Sequence, residues 1–232
     1  MKILKHQFQD FSVIIKYQKI KKMINDWPYL KKYHEENSKL AKLQAGQKRI
    51  VFMGDSITEF WSEVCPEFFY GKPYINRGIS GQTSPQMLVR FRADVISLQP
   101  TIVVILAGVN DMAGNTGPST LEMITNNIFS MVELAKANQI KVILCSVLPA
   151  NNFHWKTKTY PAEKIIKLNI LLKKYADDNQ IYYLDYHSAM VDEQKGMRAE
   201  LADDGLHPNK KGYEIMAPLI EEAIATLLHN IQ

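Results

Sequence analysis

The chain has little cysteine: Cys65 and Cys145 are the two present in 232 residues. They form no CxxC pair and no Cys/His ligand cluster, which disfavours zinc and iron–sulfur chemistry, so no metal is expected. Long apolar runs are missing as well. None approaches the ~20 residues needed to cross a bilayer, and no transmembrane segment is expected. The opening MKILKHQFQDFSVIIKYQ lacks the roughly 7–15-residue apolar stretch of a secretory signal. Its longest apolar run is Val13-Ile14-Ile15, closed by Lys16, and a cytoplasmic protein is the expectation. There is no GxGxxG for a nicotinamide or flavin, so no cofactor is expected. Repeats and low-complexity tracts are absent too.

What is present is an ordinary globular composition, 46% hydrophobic and 22% charged, with a formal charge of +4. The charge is unevenly spread. Residues 1–49 carry 12 basic and 4 acidic side chains, whereas residues 50–232 carry 16 basic and 20 acidic. The excess is local to the first fifth of the chain, so a nucleic-acid partner is not implied. The length suits one α/β domain. The expected organisation is a basic extension over residues 1–25 and a single domain over 26–232, with a helical lead-in at 26–43. In the extension, Tyr17, Ile20 and Ile24 at 3–4 spacing predict a short amphipathic helix. Asp26-Trp27-Pro28 then predicts a helix start, its helix running to about Lys42 and ending before Gly46.

A regular alternation follows. Strands are expected at Arg49–Met53, Pro73–Arg77, Thr101–Ala107, Gln139–Val147 and Ile181–Asp185. Helices are expected near Thr58–Val64, Pro85–Ser97, Ser119–Asn138, Ala162–Asn179 and Pro208–Ile231. Apolar strands alternating with helices of this length argue for a parallel sheet covered on both faces. Right-handed crossovers leave a five-stranded, three-layer doubly wound sheet of the flavodoxin-like kind as the simplest topology. The chemistry should then lie just after the C-terminal ends of the strands.

Four short blocks lie there or near the C-terminus. After strand 1, Gly54-Asp55-Ser56-Ile57-Thr58 places a serine where a helix opens, with a free backbone N–H near the positive end of the dipole. Asp or Ser at that place is also ordinary N-cap chemistry. After strand 2, Ile79-Ser80-Gly81-Gln82-Thr83 holds a glycine that permits close backbone approach. After strand 3, Gly108-Val109-Asn110-Asp111 offers an amide able to donate to a developing oxyanion. Near the C-terminus, Asp204 and His207 are three apart in Asp204-Gly205-Leu206-His207-Pro208, a separation that can bring the carboxylate onto the imidazole. Asp203 is the rival carboxylate, and Asp185/His187 a rival pair. Taken together the blocks supply a nucleophile (Ser56), a base (His207), an orienting acid (Asp204) and oxyanion donors from Ser56, Gly81 and Asn110, the parts needed for acyl transfer.

On these blocks, in this order, the chain resembles the SGNH (GDSL-type) esterases and lipases. The resemblance implies that the family's Ser, Gly, Asn and His fall on Ser56, Gly81, Asn110 and His207, with Asp204 completing the triad. It covers roughly residues 26–230. The opening GDSITEFW and the AGNTGPS after the third block are similar to single-domain esterases related to platelet-activating-factor acetylhydrolase and to bacterial carbohydrate acetylesterases. The GxSxG elbow of other serine hydrolases is absent, because Thr58 stands where its last glycine would be. The expected activity is hydrolysis of small carboxylic esters, chiefly acetyl, with an acetylated carbohydrate among the substrates to consider. Activity should rise with pH through about 6–7 as the base becomes neutral. A lysophospholipase, an acyl thioesterase or a non-catalytic sugar- or lipid-binding protein stay open as alternatives, as does a homo-oligomer. Asp55, Phe153, His154, Trp155 and Tyr160 are candidate substrate contacts. Trp61, Phe68, Phe69 and Tyr70 are expected to pack in the core or its rim.

Overall fold

The fold is described from a computed structural model, in which residues 25–153 and 159–229 are described. The predicted helix at 16–24 lies outside them. The five strands are β1 (Ile50–Gly54), β2 (Tyr74–Gly78), β3 (Ile102–Ile105), β4 (Lys141–Cys145) and β5 (Tyr182–Leu184). All pair in parallel, in the order β2-β1-β3-β4-β5. This is the doubly wound α/β topology expected from the alternation. The apolar runs at 102–107 and 141–148 outlast their strands: pairing stops, yet Leu106, Ala107, Val147 and Leu148 stay buried. A continuous apolar run therefore marks burial better than it marks strand length.

The helices are α1 (His34–Lys39), α2 (Ser56–Val64), α3 (Ser84–Asp94), α4 (Val109–Ala113), α5 (Leu121–Ala137), α6 (Ala162–Asn179), α7 (Tyr186–Met190) and α8 (Lys210–His229). They cover both faces of the sheet. On one face α3, α5 and α6 pack in succession. On the other, Trp61 of α2 stacks on Tyr213 of α8, ring centroids 5.2 Å apart, and the Tyr213 hydroxyl donates to the Ile57 carbonyl at 2.8 Å. The hydroxyl thus reaches the second residue of the helix that carries Ser56. Phe52 of β1 meets Trp61, Phe68 and Phe69 edge-on, so these aromatics belong to the core and its rim, while Tyr70 is exposed.

Several boundaries differ from expectation for local reasons. The predicted helix from Asp26 to Lys42 is cut to His34–Lys39. Tyr29 sits at φ +58, and the Asp26 carboxylate accepts from Leu30 and Lys31 N–H at 2.8 and 3.0 Å, holding residues 26–31 as turns. This lead-in docks on the loop after β2. Gln82 donates to the Pro28 carbonyl at 2.8 Å, Gln86 to the Trp27 carbonyl at 2.7 Å, and the Tyr33 hydroxyl to the Gly78 carbonyl. Helix α3 ends at Asp94 and is followed by a tighter turn at Ile96–Leu98. The cap of α5 is Thr120, which accepts from Met123 N–H at 3.1 Å, rather than Ser119. Helix α8 starts two residues after Pro208, because the Asn209 side chain accepts from Gly212 N–H and acts as its cap.

Candidate active site

The C-terminal ends of the central strands lie side by side: Gly54 is level with Gly78, and Met53 with Ile105. Gly78 lets β2 end against the backbone of α2, where a β-carbon would lie 2.2 Å from the Glu59 nitrogen. The loops after β1, β2 and β3 therefore meet at one place.

Ser56 is the first residue of α2, so its N–H lies outside the helical ladder. Its side chain sits at the edge of the body, the residue being 6% exposed. Its Oγ is 2.9 Å from His207 Nε2. His207 comes from the turn before α8, and Asp204 builds that turn. One Asp204 oxygen accepts from Leu206 and His207 N–H at 2.9 and 2.8 Å, and the other pairs with His207 Nδ1 at 2.6 Å. With Nδ1 held by a carboxylate, Nε2 is the nitrogen left to accept a proton from the Ser56 hydroxyl. Burial pushes the Asp204 carboxyl upward, but its bonds from His207 and Leu206 outweigh this and hold it below the usual carboxylate range. The rival Asp203 is engaged by Asn209 instead. The other rival pair is not assembled: Asp185 accepts from Ser188 N–H and Oγ, capping α7.

The loops bearing Gly81 and Asn110 are tied to each other and to Asp55. Gly81 adopts φ +76, a conformation that favours glycine. The preceding Ser80 donates through N–H and Oγ to Glu59, which also pairs with Lys32. Burial raises the Glu59 carboxyl, and the bonds from Lys32 and Ser80 more than reverse that, leaving it lowered. Asn110 lies in α4, and its Nδ2 donates to Asp55 Oδ2 at 3.2 Å. The neighbouring Asp111 accepts from Ser84 N–H at 2.9 Å and from Ser84 Oγ at 2.6 Å, satisfying the first N–H of α3, whose N-cap is Thr83, and joining the third block to the second. Arg90 is wholly buried. It donates to the Gly54 carbonyl at 3.0 Å, to Gln82 at 2.5 Å and to Asp94 at 3.0 Å, linking the residues just before Asp55 and just after Gly81.

The expected substrate contacts fare differently. Asp55 is 1% exposed and turned inward: Oδ1 accepts from Ile57 N–H at 3.0 Å and Oδ2 accepts from Asn110. It positions neighbours and offers no surface to a substrate, which corrects the expectation. Burial pushes its carboxyl up to about 7, against the opposing pull of the Ile57 N–H. Phe153 is also corrected, since it is 2% exposed and packs in the hydrophobic core. Tyr160 is 78% exposed. His154 and Trp155 lie outside the described residues. Sequence reasoning missed Arg90, Asp111 as the acceptor that ties Ser84 to the third block, and Asn115. The i,i+4 spacing of Arg90 and Asp94 was a signal of pairing, though not of burial.

The profile of the GDSL-like Lipase/Acylhydrolase family matches residues 52–215. Among solved structures, a candidate acylhydrolase from Bacteroides fragilis is 50% identical, with a TM-score of 0.85, covering 87% of this chain and 99% of that one. The isoamyl acetate-hydrolyzing esterase of Saccharomyces cerevisiae is 24% identical over 208 residues, 77% of this chain and 87% of the yeast protein. The acetylxylan esterase of Xylanibacter ruminicola is 25% identical over 213 residues, 76% of this chain, and the match spans 43% of that longer protein.

Proposed function

The chain belongs to the GDSL-like lipase/acylhydrolase family, and from that premise we propose that it hydrolyses short-chain carboxylic esters, chiefly acetates, with Ser56, His207 and Asp204 as its triad. The observation that carries this reading is the unbroken line from Ser56 Oγ through His207 to Asp204, with its contacts of 2.9 and 2.6 Å. His207 Nε2 takes the hydroxyl proton as Ser56 Oγ attacks the ester carbonyl. Asp204 keeps the ring in the tautomer that can accept that proton and stabilises the imidazolium that results. The developing oxyanion is received by the N–H groups of Ser56 and Gly81 and by Asn110 Nδ2. One hydrogen of that amide is held by Asp55, which leaves the other for the substrate. His207 returns the proton to the leaving alcohol, and water then repeats the sequence on the acyl-enzyme.

The acetyl preference is supported by the relatives named for acetylxylan and isoamyl acetate, and by the compact chain, which has no long apolar insertion to hold a fatty tail. The alcohol half of the substrate is best sought among acetylated carbohydrates and simple alkyl acetates. The test is hydrolysis of a p-nitrophenyl ester series by the wild type and Ser56→Ala. Turnover should be greatest at two to four acyl carbons and abolished in the variant. A Ser56→Ala protein with wild-type turnover would sink the mechanism, and an optimum at eight or more carbons would overturn the acyl preference.

A further inference from the structure

The segment Ala113-Gly114-Asn115-Thr116-Gly117-Pro118-Ser119 follows the third block and has no part in the mechanism as stated so far. Its backbone folds back on Asn110. Gly114 N–H donates to the Asp111 carbonyl at 2.9 Å, and Asn115 N–H to the Asn110 carbonyl at 3.1 Å. Gly117 N–H closes onto the Gly114 carbonyl at 3.1 Å. Gly114 and Gly117 both have positive φ, +71 and +111, so the turn can reverse this tightly. Thr116 Oγ1 meets Thr83 Oγ1 at 3.0 Å, pinning the turn to the cap of α3.

The turn delivers one amide to a decisive place. Asn115 Nδ2 lies 3.0 Å from the Gly81 carbonyl oxygen and 2.9 Å from Asn110 Oδ1. A backbone carbonyl can only accept, so the Asn115 atom facing it must be the nitrogen. That nitrogen is a donor alone, so the Asn110 atom facing it must be the oxygen. The other end of the Asn110 amide is then Nδ2, aimed at Asp55. The orientation of Asn110 thus follows from a carbonyl two contacts away. Asp55 and Asn115 hold the Asn110 amide from its two ends, and without Asn115 its oxygen loses its donor and the amide is restrained at the nitrogen end alone. The Asn115 amide also holds the Gly81 carbonyl, and so anchors from its C-terminal side the residue whose N–H is the other loop-borne oxyanion donor.

We propose that Asn115 is a positioning residue that sets the two oxyanion donors Gly81 and Asn110 in register with each other. The inference rests on the esterase reading above and deepens it. Asn115 is exposed, so its replacement leaves no unsatisfied group buried at position 115 and the fold should persist. Its contribution should appear in kcat and not in KM, because the donors act on charge that develops after substrate is bound. Losing a whole oxyanion donor costs about 10²–10³-fold in kcat, and misplacing one should cost less.

The test compares the wild type with Ser56→Ala, Asn115→Ala and Asn115→Asp on p-nitrophenyl acetate, with thermal melts of each. Asn115→Ala should lose about 10–100-fold in kcat with KM within threefold and an unchanged Tm. Asn115→Asp should lose more, since its carboxylate can accept but not donate and sets a negative charge beside the nascent oxyanion. The side-chain amide resonances of Asn110 in a ¹⁵N spectrum should shift or broaden in Asn115→Ala, a readout that does not depend on turnover. Wild-type kcat in Asn115→Ala, with Ser56→Ala inactive, would overturn this inference and leave the esterase reading standing. A fall in kcat only in step with a lowered Tm would also overturn it, in favour of a merely structural residue. Equal activity in the wild type and Ser56→Ala would remove the esterase reading and this inference with it.

Discussion

Asp55→Asn should gain stability relative to the wild type as pH rises, and should lose activity. Asp55 is buried, and burial raises its carboxyl from 3.8 to about 7. Because the folded state holds the proton more tightly than the unfolded state, the sign is that of a buried acid. Below about pH 3.8 both states are protonated and the group costs no charge burial. Between that value and about 7 the unfolded state ionises first, so wild-type stability falls as pH rises. Above it the full cost applies. From these two values the electrostatic loss between pH 5 and pH 8 is roughly 2.5 kcal/mol, at 1.36 kcal/mol for each pH unit of the window. Asparagine does not titrate and caps a helix about as well, so the variant should escape this loss. With a urea slope of about 2.5 kcal/mol per molar, the midpoint difference between variant and wild type should grow by about 1 M from pH 5 to pH 8. Activity should fall, because an asparagine that accepts from Ile57 N–H turns its own NH₂ toward Asn110 Nδ2, donor against donor. The assay is urea unfolding followed by far-UV circular dichroism at both pH values, beside kcat on p-nitrophenyl acetate. Parallel stability profiles for the two proteins would refute the argument that Asp55 is held in a desolvated, proton-retaining site.

Asn110→Ala removes one oxyanion donor and should lower kcat about 10²–10³-fold, with KM little changed, in steady-state kinetics. Gly81→Ala meets no close neighbour, the nearest being the Asn115 amide at 3.7 Å, so its cost is backbone strain at φ +76. A stability loss of about 1–2 kcal/mol in denaturant melts, with a fall in kcat as the 81 peptide shifts, is expected. Arg90→Met leaves the buried Asp94 without its ion partner and should cost about 3–5 kcal/mol. Adding Asp94→Leu should restore a large part of that loss in the same melts, because the uncompensated charge is then gone.

The four blocks were legible because each joins a strand end to a turn or a helix start, and the alternation of apolar runs placed the first three at one end of a parallel sheet. Strand ends were less legible. Residues such as Leu106 and Val147 remain buried after pairing has stopped, and a side-chain pattern cannot separate burial from hydrogen bonding. The lead-in failed as a long helix because one residue, Tyr29, takes a left-handed conformation that no turn-forming type signals. Asp55 was misjudged because its neighbour's role in catalysis suggested a contact with substrate, whereas the strand-to-helix turn points its carboxylate inward. The spacing of Arg90 and Asp94 signalled a pair but not its place, and nothing in AGNTGPS signalled what Asn115 would meet. The partners that place Arg90 and Asn115, Gly54 and Gln82 for the one and Gly81 for the other, come from different segments of the chain. Such contacts exist only once the sheet has formed.

The central claim is that Ser56 is a nucleophile activated by His207, itself held by Asp204. Reaction with a fluorophosphonate probe, followed by mass spectrometry of the labelled peptide, tests it most directly, since phosphonylation needs an activated serine but no knowledge of the natural substrate. The account predicts a single adduct on Ser56, lost in Ser56→Ala, strongly slowed in His207→Ala and Asp204→Ala, and absent after heat unfolding. Undiminished labelling of Ser56→Ala, or a native protein that reacts no faster than the unfolded chain, would contradict it.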